Sequence, residues 1–281
     1  MNNFGVCVAW HNPKQIAKWK DAWGLHGTPD WLFLEQDTDK AGCARTKNKA
    51  IKRALDAGVH YVICLDDDCF PAPLVEGSAM LENSLINFAE DHVTALQPQP
   101  VQMIVPTSRP LPRGFPYRQH TIKMPVAASM GFWLKNPDFD AVRTLAEGET
   151  AGQFAFLQQT IYGKMFPLSG MNFAFHRAWA DEAVLIDVPR FDDIWMGFIW
   201  QKIAYERRAC FNLQGPMVTH SRQSNVWKNL QDEVRYLELN ESLWSTIYTA
   251  PAGLSASELR LRLFGERFDS PAVVPAPPGV V

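Results

Sequence analysis

The sequence predicts an α/β protein with a mostly parallel central sheet flanked by helices. Three observations carry this. Short apolar runs at Phe4–Trp10, 31–34 and Tyr61–Leu65 alternate with two segments of helical spacing. The third run is apolar throughout, as a strand buried on both faces requires. Carboxylates gather where the second and third runs end, at Glu35-Gln36-Asp37 and Asp66-Asp67-Asp68, and ligands of such sheets sit beyond the carboxyl ends of the strands.

The elements follow in order. The first run stops at His11-Asn12-Pro13-Lys14, where Asn12 suits an N-cap and Pro13 the first helical position. Ile16, Trp19 and Trp23 then recur at helical spacing. A second helix over 44–57 turns Ala50, Ile51, Ala54 and Leu55 to the core, and Gly58 closes it. Strand, helix and strand twice over imply right-handed crossovers. Residues 97–137, rich in Pro and Gly, read as loops and short strands around a site. The run 165–175 reads as a strand leading into a helix near Trp179. Over 191–208, Ile194, Phe198 and Ile203 mark a helix opened by Asp192 and Asp193, and Leu230, Val234, Leu237, Trp244 and Ile247 mark another. Ser255-Ala256-Ser257-Glu258 has the capping-box pattern. The expected division is one domain over 1–250, a short C-terminal helix within 251–269 and a Pro-rich extended tail over 270–281.

Composition narrows the class. With 281 residues, 47% apolar and 20% charged, the chain can bury a sizeable core, which excludes global disorder. A net charge of -3 argues against a histone-like or heparin-like binder. Cys7, Cys43, Cys64, Cys69 and Cys210 contain no C-x-x-C pair. Neither a disulfide framework nor a zinc ribbon is expected, and a reducing, cytoplasmic setting is. The first apolar run lacks a basic leader and a long apolar core, so it reads as a strand rather than a signal peptide. No stretch approaches the roughly 18 apolar residues of a membrane span.

Several groups point to chemistry. The Asp66-Asp67-Asp68 carboxylates repel one another, and a cation or a network of donors relieves that. In nucleotide-sugar enzymes an Asp-x-Asp at a strand end holds a divalent metal that bridges the donor phosphates; a solvated acidic turn is the plain alternative. Oxygen ligands favour Mg or Mn, and a His ligand tilts the choice to Mn. Lys40, Arg45, Lys47, Lys49, Lys52 and Arg53 lie between Asp39 and Asp56 with no acid among them. Arg45 and Lys49 share a helix face near the strand ends. One or two of the six can meet a diphosphate while the others form a solvated face. A DNA-contacting stripe of Lys47, Lys52 and Arg53 is the alternative. At least one of Asp192 and Asp193 caps its helix, and the other is a candidate base or an acceptor for sugar hydroxyls. His220 alone carries no assignment, and the cysteines read as small core residues.

Six blocks stand in a consistent order: Gln36-Asp37-Thr38-Asp39; Leu65-Asp66-Asp67-Asp68-Cys69-Phe70; Gly131-Phe132-Trp133-Leu134 with Pro137-Asp138-Phe139-Asp140-Ala141; Phe166-Pro167-Leu168-Ser169-Gly170-Met171-Asn172-Phe173-Ala174-Phe175; Arg190-Phe191-Asp192-Asp193-Ile194-Trp195; and His220-Ser221-Arg222-Gln223-Ser224-Asn225. Together they resemble the reversibly glycosylated polypeptides, the UDP-arabinopyranose mutases, over residues 4–230. The resemblance implies a GT-A-like nucleotide-sugar-binding fold, a UDP-sugar donor and a divalent metal, Mn or Mg. It implies Asp66, Asp68 and His220 as metal ligands, Asp66 and Asp67 beside the ribose and diphosphate, Asp37 near the uracil or ribose and Arg45 near the diphosphate. Gly170, Met171 and Asn172 would floor the sugar, with Asp192 and Asp193 facing it. Arg113-Gly114-Phe115-Pro116-Tyr117-Arg118 is similar to the segment that carries the family's reversibly glycosylated arginine, which makes Arg113 the reactive residue and Arg118 its companion. That spacing is two residues shorter than the family pattern, and Met130 stands where the family usually has His before the Gly.

Three functions stay open on this reading. The first is a mutase that interconverts the pyranose and furanose forms of a UDP-pentose while UDP stays bound. The second is a glycosyltransferase that passes the sugar to a glycan or to a modified base in phage DNA. The third is a non-catalytic nucleotide-sugar or nucleic-acid binding protein, which has no need of Asp66, Asp68, Asp192, Asp193 and His220 together.

Overall fold

The computed structural model describes residues 3–38, 40, 42–72, 84–102, 121–135, 138–147, 160–221 and 225–265. Strand β1 (Phe4–Trp10) leads into helix α1 (Pro13–Ala22), capped by the Asn12 side chain, which accepts from the Lys14 amide at 3.0 Å. Strand β2 (Leu32–Gln36), helix α2 (Cys43–Asp56) and strand β3 (Tyr61–Leu65) follow. β1 pairs in parallel with β2 on one side and β3 on the other, as two strand–helix–strand units predict.

Next come β4 (Cys69–Pro71), α3 (Leu85–Ala95), β5 (Gln99–Gln102), β6 (Thr121–Met124), β7 (Val126–Lys135), α4 (Ala141–Glu147), β8 (Thr160–Ile161) and β9 (Asn172–His176). A short 3₁₀ turn, Arg177–Trp179, stands where the sequence suggested a helix near Trp179. The chain continues through α5 (Asp192–Glu206), β10 (Cys210–His220), α6 (Val226–Thr249) and α7 (Ala256–Phe264). The main sheet has the order β2-β1-β3-β9-β7-β10-β4, with β8 on β10, and β5 and β6 form a separate ribbon. Strands β1, β2, β3, β7 and β10 run one way, while β9, β4 and β8 run against them. The sheet is therefore mixed but mostly parallel, in an α/β chain.

Alternation along the strands feeds two cores, one on each face. Cys7, Val62, Cys64, Phe173 and Phe175 pack against α2 and α5, with α6 and α7 beyond. Val6, Val8, Ile63, Leu65 and Ala174 pack against Ile16 and Trp19 of α1 and Leu85 and Phe88 of α3. Helix α5 is apolar on all sides, as a helix sandwiched between sheet and outer helices must be; Trp195, Ile199 and Trp200 are fully buried. Helix α7 belongs to the same body: Phe264 stacks on Trp195 with ring centroids 5.2 Å apart, and Arg260 bonds the Asp181 carbonyl at 2.8 Å. Ser255 and Glu258 form the expected capping box. Among the described residues no helix is long and apolar enough to cross a membrane.

Two features differ from the sequence reading of α6 and the cysteines. The buried face of α6 holds Asn229, Glu233, Leu243 and Ile247, while Val234 and Trp244 are exposed. Four cysteines are buried as expected, but Cys43 is exposed at the start of α2, and all five are free thiols.

Candidate functional site

The carboxyl ends of β1, β2 and β3 open into a cavity of about 360 Å³ walled by Trp10, His11, Asp37, Thr46, Asp67 and Asp68. A second cavity of about 210 Å³ lies under the first turn of α5, walled by Lys47, Asp138, Gly170, Arg190, Asp192 and Asp193. Cys43 and Asp66 line both, so the two are adjoining compartments of one cleft. Together they fall in the size range of small-ligand sites.

β-Pairing assembles the far wall of the larger compartment. After Asp66-Asp67-Asp68 the chain turns into β4, which pairs antiparallel with β10 so that His220 stands opposite Cys69. The Ser221 amide donates to the Asp68 carbonyl at 3.1 Å, and His220 Nε2 comes to 3.6 Å from Asp68 Oδ2. Two of the three residues implied as metal ligands thus meet. The third has another partner: Asp66 Oδ1 accepts from Lys47 Nζ at 2.5 Å. Among the described residues no group of three His, Cys, Asp or Glu side chains is arranged to hold a metal ion. One carboxylate and one imidazole stand together there, too few for a closed protein cage, so a divalent ion would need phosphate and water oxygens to complete its shell.

In the smaller compartment the two aspartates at the start of α5 divide their tasks. Asp193 is fixed: Oδ2 accepts from the Gly170 amide at 2.5 Å and Oδ1 from the Ile194 amide at 2.8 Å. Gly170 has no room for a side chain, since a Cβ there would lie 2.7 Å from that of Asp193. Asp192 lines the same cavity beside Lys47 and Asp66. Burial, then the neighbouring Asp193 charge, pushes the Asp192 carboxyl up to about 8, against the pull of Lys47. Burial and Asp138 push Asp193 up to about 6.

Four residues in these walls had no such role in the sequence reading. Lys47 is almost fully buried and also donates to the Gly170 carbonyl at 2.8 Å. Arg190, in the left-handed region at φ 69°, donates through Nε to Glu233 Oε1 at 2.8 Å, and Glu233 Oε2 caps α4 by accepting from the Ala141 amide at 2.7 Å. Asp138 accepts from the Ser169 hydroxyl at 3.1 Å. Lys47 had a signal: with Ala50, Ile51 and Ala54 it falls on the i, i+3, i+4, i+7 stripe of α2.

Other expected residues stand elsewhere. Asp37 lines the larger compartment and its Oδ2 accepts from the Gly42 amide at 3.2 Å. Arg45 points away to Asp187, whose Oδ2 accepts from its Nε at 2.6 Å. Gly170 and Met171 line the smaller compartment, but Asn172 is fully buried: it bonds His92 Nε2 at 2.8 Å and donates to the Pro216 carbonyl at 2.8 Å. Burial holds the His92 imidazole down at about 4, so it is neutral. Arg113 and Arg118 lie outside the described residues.

Of the three residues of the alternative DNA-contacting stripe, one is withdrawn from the surface and two carry acidic partners. Lys47 is buried, Lys52 pairs with Asp56 at 2.7 Å, and Arg53 bonds Glu35 Oε2 at 2.9 Å. Titration with duplex DNA at low salt is therefore expected to show no binding that charge reversal of Lys52 or Arg53 weakens. Steeply salt-dependent binding lost on that reversal would contradict this.

Residues 54–250 match the sequence profile of the reversibly glycosylated polypeptides, and the chain belongs to that family. Its relatives include the probable UDP-arabinopyranose mutase 1 of Pisum sativum, 28% identical over 222 residues that cover 73% of this chain and 59% of that one. UDP-arabinopyranose mutase 1 of Arabidopsis thaliana is 27% identical over 222 residues, 73% of this chain and 60% of that one. The chain thus spans about three-fifths of the length of these curated relatives. A solved glycosyltransferase involved in the glycosylation of the major capsid of PBCV-1 aligns with 82% of this chain and 90% of its own at 10% identity, but at a TM-score of 0.26, too low to carry an argument.

Proposed function

We propose that the chain is an enzyme of GT-A-like architecture acting on a UDP-sugar, with the nucleotide in the larger compartment and the sugar in the smaller. The reaction is the ring interconversion of a UDP-pentose. The observation that carries this is the pair of adjoining compartments with Asp66 in their common wall, a shape that suits a ligand of two unlike halves joined by a diphosphate. The family and the names of its mutase relatives support the substrate class and the reaction. Helix α2 begins at this wall with Cys43 and Thr46, so the positive end of its dipole favours an anion there.

Within this reading Asp193 orients the Gly170 turn beneath the sugar, and Asp192 exchanges a proton with the sugar or its anomeric oxygen. A divalent cation, when bound, would be held by Asp68 and His220 and would neutralise charge on the diphosphate. Transfer of the sugar to a glycan or a modified DNA base is the second reading, favoured by the shortened Arg113–Arg118 spacing and by Met130.

Calorimetry of UDP binding tests the site. UDP is expected to bind more tightly with Mn than with EDTA, and Asp68→Asn to remove the difference. His220→Ala should weaken metal dependence without lowering the melting temperature. Equal UDP affinity in Mn and EDTA for the unaltered chain would count against the metal assignment, and absence of UDP binding against the whole reading.

A further inference from the structure

Among the described residues, Lys47 is the most buried cation lining the cleft. It lies 2% exposed on the core stripe of α2, a position occupied elsewhere along that stripe by Ala50, Ile51 and Ala54. Of its three donor hydrogens, two are spent on Asp66 Oδ1 and on the Gly170 carbonyl. Three carboxylates, those of Asp66, Asp192 and Asp193, crowd this end of the smaller compartment. Among the described residues only Lys47 and Arg190 line that compartment with positive charge, and Arg190 is committed to Glu233. The influence of Lys47 reaches both aspartates of α5. Without a counter-ion, Asp66 and whichever α5 carboxyl has lost its proton would repel any further anion brought to the wall shared by the two compartments.

We propose that Lys47 is a positioning residue, the built-in counter-ion that lets the wall shared by the two compartments receive a nucleoside diphosphate. This rests on the donor reading above, and it assigns the tolerance for the phosphates to a charge that the chain carries inside α2. A pin that merely holds α2 to the Gly170 turn would matter equally for every ligand. A counter-ion matters for ligands that bring negative charge.

The experiment compares uridine and UDP by calorimetry on the full chain, in EDTA and in Mn, for the unaltered protein, for Lys47→Met, and for Lys47→Met combined with Asp66→Asn. Lys47→Met is expected to weaken UDP about tenfold or more while uridine stays within about twofold, since only the former carries charge to the wall. The double variant removes one positive and one negative group together, so its UDP-to-uridine preference is expected to return to within about threefold of the unaltered chain's. Equal losses for uridine and UDP in Lys47→Met overturn the inference and leave a structural pin. A double variant that binds uridine normally but UDP tenfold more weakly also overturns it, and this variant decides the matter if Lys47→Met does not fold. An unaltered chain that binds neither ligand overturns the donor reading and this inference together.

Discussion

Asp192→Asn is expected to lower turnover of a UDP-sugar by about 10²-fold or more, the usual contribution of a positioned acid–base group, while uridine affinity stays within about twofold. The asymmetry of the two aspartates is the reason. Both line the cavity, but Asp193 has both oxygens on backbone amides, while burial and its neighbour push the Asp192 carboxyl higher, up to about 8. Such a group holds its proton near neutrality and can deliver it. The same pair gives a pH signature. In the unfolded chain both carboxyls lose their protons near pH 4, but in the native chain they hold them up to about 6 and about 8. Between about pH 4 and 8 the native state binds more protons, so stability falls as pH rises through that window. Thermal melts from pH 5 to 8 should show this fall, and Asp192→Asn should flatten it. A wild-type melting temperature that is level across the window, or a fall just as steep in the variant, contradicts the assignment.

Gly131→Ala is expected to cost about 3 kcal/mol or to prevent folding, at the upper end of what overpacking causes. A Cβ at Gly131 would overlap the Pro216 carbonyl oxygen and the Asn172 side-chain amide. Neither can yield easily. Pro216 lies in β10 beside β7, and Asn172 is locked to His92, which in turn bonds Ser129 Oγ at 3.1 Å. The close approach is what lets β7 lie against β10 at Gly131 while the Asn172 side chain of β9 reaches the Pro216 carbonyl. Urea denaturation measures the loss; a variant within about 0.5 kcal/mol of the parent would show that these strands move apart without cost.

The first half of the sheet is legible because its signals are local. β1, β2 and β3 are short apolar runs, and α1 and α2 announce their ends with Asn12, Pro13 and Gly58. α3 carries a weaker pattern behind its Ser84 cap. Of β10 only Met217-Val218-Thr219 carries a strand pattern, because Asn212, Gln214, Gly215 and Pro216 break its alternation and its pairing with β7 is irregular there. Of the residues that line the cleft, Asp37, Asp66, Asp67, Asp68, Asp192 and Asp193 carry a one-dimensional signal, because they terminate strands or open a helix. Those that hide a charge on an apolar stripe carry none that names a partner. Lys47 and Glu233 both stand where a helix faces the core, and each is tolerated only because a distant partner, Asp66 or Arg190, meets it. Sequence spacing places the stripe but cannot supply that partner. The same holds for α6, whose buried face includes Glu233 and so is offset by one residue from the apolar series Leu230, Val234, Leu237. The meeting of His220 with Asp68 depends on the β4–β10 register and is likewise invisible in one dimension.

The most direct test of the central claim is incubation of the chain with UDP-arabinopyranose and Mn, without acceptor, followed by separation of the pyranose and furanose nucleotides. The furanose form is expected to accumulate to an equilibrium also reached from UDP-arabinofuranose, with Asp192→Asn slowing both directions alike. Release of UDP only on addition of a glycan or DNA acceptor, with no ring interconversion, would replace the mutase by the transferase. Recovery of the UDP-sugar unchanged under every condition would contradict the account as a whole.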